Sequence, residues 1–228
     1  MKNPKIDIVL ASGSLRRREL LRGLGWSFRV VVPEVDESAR PGESPEDLCI
    51  RLSGTKARSV FDRCRKDVSV EKETLVGGGV FDGKDAAAGG EILVIAADTV
   101  VVTDGGGILG KPVDDVDSLR MLRLLQGRSH EVLTGVSVLC GERSLSVLER
   151  TVVTFRFLSD ADMAAYVATA EGADKAGAYA IQGRGSLMVS SIKGDYFNVV
   201  GLPLCRLGMT LEELGMTPAR LWAGRVQR

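Results

Sequence analysis

Residues 12–18 read Ser-Gly-Ser-Leu-Arg-Arg-Arg and follow directly on an apolar run, Ile6 to Leu10. Small hydroxyl residues leading from a strand into a helix offer backbone N–H groups to an anion. Arginine is poorly placed at a helix N-terminus, because the dipole there is already positive. Such a broken local rule points to a site, and the simplest tenant is a phosphate or several. The competing reading is a solvated helix face made of Arg16, Arg17 and Arg18.

Asp98 is the second chemical feature. It lies inside Ile95-Ala96-Ala97-Asp98-Thr99-Val100, a run that otherwise asks to be buried. A buried carboxylate needs a cation, hydrogen bonds or a raised pKa. A metal ligand or a general base fits, against the plainer reading of a strand-end cap. Glu34, Asp36 and Glu37 follow a second strand and Pro33; they suit a hard divalent cation or simple loop solubility. Lys56 is a candidate on the second helix, or an ordinary surface lysine. Gly105 to Pro112 approaches the phosphate-loop pattern, but Pro112 stands where a hydroxyl ligand is required, so a phosphate-loop NTPase is rejected. Lys111 still sits beside a glycine where a phosphate could approach. Gln182 precedes a glycine turn, and its amide suits the edge of a uracil or thymine ring, or of cytosine if flipped. His130 reads as a packing residue, since no nucleophile motif accompanies it.

These residues must be positioned by alternating strands and helices. Ile6–Leu10, Phe28–Val32, Ile92–Val102, Val132–Leu139 and Leu145–Phe157 read as strands, with shorter ones at Ala178–Gln182 and Leu187–Ile192. Helices are predicted over Ser14–Leu24, from Ser44 to about Arg65, and over Asp114–Leu125, Ser159–Ala170, Pro203–Leu214 and Pro218–Val226. Residues 67–90 read as a flexible, glycine-rich surface insertion rather than a domain. The class is α/β with mixed sheet connections.

Composition sets the outer bounds. The chain has 228 residues, 44% hydrophobic and 26% charged, an ordinary globular mix. Lys+Arg and Asp+Glu both number 30, so the footprint of a nucleic-acid polymer binder is lacking and any phosphate site is a local concentration of charge. Cys49, Cys64, Cys140 and Cys205 form no CxxC pair and the histidine count is 1, which argues against zinc. Reduced, mostly buried thiols are expected. Neither a signal peptide nor a membrane span is read, and the cytoplasm is the expected location.

Taken together, the segments resemble the Maf family of nucleotide pyrophosphatases. Leu10-Ala11-Ser12-Gly13-Ser14-Leu15-Arg16-Arg17 is similar to its opening signature. Ala96-Ala97-Asp98-Thr99-Val100, Leu109-Gly110-Lys111-Pro112, Gly127-Arg128-Ser129-His130 and Thr134-Gly135-Val136 follow in the family's order. Asp174-Lys175-Ala176-Gly177-Ala178-Tyr179, Ile181-Gln182-Gly183-Arg184-Gly185 and Gly201-Leu202-Pro203 complete it. Leu15 stands where the family usually has proline.

The resemblance implies a single domain over 1–228, a Maf/ITPase-like bilobed α/β fold with an elongated mixed sheet, flanking helices and a central cleft. It implies hydrolysis of dTTP and UTP, or modified pyrimidine nucleotides, to monophosphate and diphosphate in house-cleaning of the nucleotide pool. Asp98 takes the catalytic position; Arg16, Thr99 and Gln182 match specificity positions; Ser14, Arg17, Lys56 and Lys111 match phosphate-binding positions. Magnesium or manganese would be held by Glu37 and Asp98. A homodimer is an expectation of the family alone. The alternatives are a pyrophosphatase for non-standard purine triphosphates of the ITP or XTP kind, and a non-catalytic nucleotide-sensing regulator of cell division.

Overall fold

The computed structural model describes residues 6–66 and 91–223; the predicted insertion at 67–90 lies outside them. In chain order the elements are β1 (Ile6–Ala11), α1 (Leu15–Gly23), β2 (Arg29–Val30), α2 (Pro45–Lys66), β3 (Glu91–Val102), β4 (Ile108–Leu109) and α3 (Asp115–Leu125). There follow β5 (Ser129–Cys140), β6 (Arg143–Phe155), α4 (Asp160–Val167), β7 (Val189–Lys193), α5 (Tyr196–Val200), α6 (Leu204–Glu213) and α7 (Pro218–Ala223).

The strands form one mixed sheet in the order β2-β1-β3-β5-β6-β7, with β4 hairpinned onto the end of β3. β1 runs parallel to both β2 and β3, while β3, β5 and β6 are antiparallel neighbours. No helix among the described residues is long and apolar enough to cross a membrane.

The β3 run is buried along nearly its whole length because both faces are covered. Alternation sends Leu93, Ile95 and Ala97 into a core shared with Leu21, Leu202 and Leu207. Val94 and Ala96 face α2 instead, against Ala57, Val60 and Phe61; Val100 and Val102 meet Leu48 and Leu52 of the same helix. Each large aliphatic side chain so buried contributes about 1.5–3 kcal/mol. Asp98 shares the parity of Ala96 and Val100, so the strand's own period turns it toward α2.

α2 reaches that face unusually closely. A Cβ placed on Gly135 would lie 2.3 Å from the Cys49 carbonyl oxygen. Gly135 pairs directly with Asp98 across the β3–β5 ladder. The missing side chain therefore lets the helix backbone settle on the sheet beside the carboxylate.

Several predicted elements change. The second strand shrinks to Arg29–Val30, an edge strand with only β1 beside it. β5 extends to Ser129–Cys140, and β6 starts and ends two residues earlier than expected, at Arg143–Phe155, because the two pair through a full antiparallel register. The predicted strand Ala178–Gln182 is not one: Gly177 and Ala178 take positive φ in a 3₁₀ turn at Ala176–Ala178, and a second such turn covers Gly183–Met188. The short helix α5 was not expected.

Candidate active site

Helix α1 starts at Ser14, whose hydroxyl accepts from the Arg17 N–H at 3.4 Å while its own N–H donates to Ser12 Oγ at 3.1 Å. The amides of Leu15 and Arg16 precede the first intrahelical bond and have no acceptor among the described residues. Acidic residues are absent from this first turn, as anion binding requires.

Around this turn opens a cleft of about 580 Å³, within the roughly 300–1,000 Å³ usual for small-molecule sites. Ser14, Arg16, Arg17, Glu37, Lys56, Asp98, Thr99 and Lys111 all line it. Gln182 does not; it is exposed, at the head of the turn Gly183–Met188.

Lys56 belongs to the buried stripe of α2, which runs Leu48, Cys49, Leu52, Ser53, Lys56, Ala57, Val60, Phe61 and Cys64. The plain reading as a surface lysine therefore fails. Its ammonium lies 2.6 Å from Asp98 Oδ1 and 2.9 Å from Glu37 Oε1. The Lys56 and Asp98 side chains are 8% and 10% exposed, whereas Glu37 is 53% exposed on the loop after β2. That loop is tied back to α2 by Arg51, which donates to the Ser38 carbonyl at 2.9 Å and pairs with Glu43. The Arg51 guanidinium holds the Glu43 carboxyl down to about 2.

Arg17 is spent inside the protein. Its Nε donates to the Gly201 carbonyl at 2.7 Å, Nη1 to the Ala97 carbonyl at 2.7 Å and to Ser12 Oγ at 3.4 Å, and Nη2 to Thr99 Oγ1 at 3.0 Å. Of the five guanidinium N–H donors one is left for a ligand. Burial lowers the Arg17 pKa and Asp98 opposes that shift. Having accepted from Arg17, Thr99 Oγ1 lies 2.9 Å from Thr134 Oγ1, which in turn donates to the Asn198 carbonyl at 3.3 Å.

Arg16 is the contrasting case. It makes no hydrogen bond to the described residues and is pulled below its ordinary value by burial, with Asp174 and Tyr166 opposing. Lys111 is exposed and has no carboxylate partner among the described residues. Unspent cations of this kind are what a polyphosphate would meet first. Arg18, read from the sequence as one side of a possible solvated face, is only half exposed, with its Nε withdrawn from water.

Asp174 and Lys175, named from the sequence only within a family motif and given no role, line the same cleft and pair with each other. Their signal was an adjacent opposite-charge pair ahead of Gly177. Cys49, close to Asp98, is pushed up to about 12 by burial and by that charge, so it stays a thiol. His130 packs as expected, edge-on to Phe155 and Tyr179, with Nε2 2.9 Å from the Tyr179 hydroxyl.

Among the described residues no three His, Cys, Asp or Glu side chains converge as a metal cluster. Asp98 and Glu37 nevertheless bring two carboxylates to one ammonium, a point where positive charge is already favoured. A magnesium-type cation, bound through one or two carboxylates plus substrate phosphates, fits that donor set.

Residues 7–214 match the family described as "Maf-like protein". The chain is similar to a dTTP/UTP pyrophosphatase of Symbiobacterium thermophilum, 45% identical over 92% of this chain and 94% of that protein. It is 39% identical to a protein of the same name from Bacillus thuringiensis, over 92% of this chain and 96% of the relative. A third, from Hahella chejuensis, is 41% identical over 95% and 94%.

Proposed function

The chain belongs to the Maf family, and on that premise we propose that it hydrolyses dTTP and UTP to the nucleoside monophosphate and diphosphate. The observation that carries this reading is Lys56 gathering Asp98 and Glu37 at the floor of a cleft rimmed by Arg16 and Lys111. The relatives' names agree with it, and neither a purine-directed enzyme nor a non-catalytic regulator is favoured.

Asp98 orients the attacking water and takes its proton, a general-base role worth about 10²–10⁴-fold. One Asp98 oxygen is bound by Lys56, and the other has no partner among the described residues. Arg16, Lys56 and Lys111 hold the phosphates, joined by the last N–H of Arg17 and by Ser14 at the helix turn. Glu37 and Asp98 would hold a magnesium or manganese ion, which supplies neutralisation of the charge that develops on the phosphates. Thr99 acts on specificity from inside the protein through Arg17. Gln182, outside the cleft lining, is assigned to the pyrimidine edge by family resemblance, together with Arg16, which lines the cleft. The proposed setting is the cytoplasm, where nucleoside triphosphate pools are held, and the proposed service is clearing unwanted pyrimidine nucleotides.

The test is product analysis over a nucleotide panel, with and without divalent metal. Metal-dependent release of TMP or UMP with diphosphate, and slow turnover of ITP and XTP, is expected. Purine preference, orthophosphate release, or tight binding without turnover would overturn the proposal.

A further inference from the structure

Outside the cleft lining, both oxygens of one carboxylate are committed to backbone amides. Glu171 Oε1 accepts from the Arg184 N–H at 3.0 Å and Oε2 from the Gly185 N–H at 2.9 Å. Gly183 has φ +72, and a Cβ there would lie 2.4 Å from Glu171 Oε1, so the turn is wrapped directly around the carboxylate. The Tyr166 hydroxyl bonds the same carboxylate and accepts from the Ala180 N–H at 3.0 Å. Burial pushes the Glu171 carboxyl up, but the hydrogen bonds from Arg184, Gly185 and Tyr166 outweigh it and leave it below the ordinary range. Ala170, immediately before Glu171, has φ +55, a conformation that costs a residue with a Cβ of order 1 kcal/mol or more.

This arrangement touches both ends of the base-reading machinery. Gln182 is the residue just before the wrapped turn, held extended at φ −89, ψ 156. Tyr166 in turn interacts electrostatically with Arg16. Glu171 thus holds the turn that follows Gln182 directly. An amide discriminates between bases only if its donor and acceptor are held in a fixed direction.

We propose that Glu171 is the positioning residue of the Gln182 turn and, through it, a determinant of pyrimidine choice. The inference rests on the reading of Gln182 as a specificity residue. Without the carboxylate the Arg184 and Gly185 amides lose their acceptors, the turn is released, and the Gln182 amide spreads over several directions.

The experiment measures kcat/KM for dTTP, UTP and CTP with the wild type, Glu171→Ala, Glu171→Gln, Gln182→Ala and the Glu171→Ala/Gln182→Ala double variant, all well below their melting temperatures. Glu171→Ala should lower the dTTP-to-CTP ratio about tenfold. Gln182→Ala should lower it alike, and the double variant should lose no more than either. Glu171→Gln keeps one acceptor oxygen and should fall between; it also serves if the alanine variant does not fold. A ratio altered by Gln182→Ala but not by either Glu171 variant, even with a lowered melting temperature, overturns the positioning role and leaves the specificity reading standing. A ratio untouched by Gln182→Ala overturns both.

Discussion

The Lys56 ammonium lies 2.6 Å from Asp98 Oδ1, and both side chains are about nine-tenths removed from solvent. Breaking one half of such a buried pair leaves the other charge uncompensated, at about 3–5 kcal/mol. Lys56→Met should therefore destabilise the protein by about 3 kcal/mol at neutral pH. Asp98→Asn in the same background should restore a large part of it. Denaturant unfolding of the two single variants and the double variant checks this; additive losses would show that the two groups do not depend on each other.

Gly135 makes that pair possible by letting α2 rest on the sheet. Gly135→Ala would press a methyl group onto the Cys49 carbonyl, and helix backbone cannot yield cheaply. A loss of about 1–3 kcal/mol and a clear drop in turnover are expected, read by thermal melting and steady-state kinetics. Unchanged melting and turnover would mean that α2 shifts freely.

How much of this was legible in the chain depends on the range of the interactions. Asp98 stood out because a carboxylate interrupts an apolar run, and helix starts at Ser14, Asp114 and Ser159 were legible because each side chain caps its own helix locally. Lys56 was legible only in part: its place in the 3–4 spaced stripe of α2 was present in the sequence, but its partner lies 42 positions away. Arg17 was assigned to phosphate binding by resemblance, whereas its partners Ala97 of β3 and Gly201 at the end of α5 lie far along the chain. The apolar segment Ala178–Ile181 mimicked a strand. It is buried without a ladder because its backbone is met by the Tyr166 hydroxyl and bent by Gly177.

The three consecutive arginines should separate cleanly. Arg17→Ala removes charged hydrogen bonds to Gly201, Ala97 and Thr99, each worth about 1.5–3 kcal/mol, and should cut turnover of every substrate. Arg16→Ala should also change the ranking of dTTP, UTP and CTP. Arg18→Ala should stay within about twofold, since Arg18 is not among the residues that line the cleft. Kinetics of the three variants on the three nucleotides decides among them.

Burial lowers the His130 pKa from the ordinary 6.5 to about 4. The folded state therefore keeps a neutral imidazole where the unfolded chain already binds a proton. This group's stability contribution is fully present above pH 6.5 and is lost as pH falls toward 4, at a slope approaching about 1.4 kcal/mol per unit. Unfolding free energies between pH 6.5 and 5 should fall more steeply for the wild type than for His130→Phe. Parallel curves would mean that the imidazole charges freely in the fold.

The most direct measurement is the turnover of dTTP and UTP by Asp98→Asn, quantified as nucleoside monophosphate released in saturating magnesium. The variant should bind nucleotide yet lose at least about 10²-fold in kcat. Near-normal monophosphate release would contradict the assignment of Asp98 as the base that activates water.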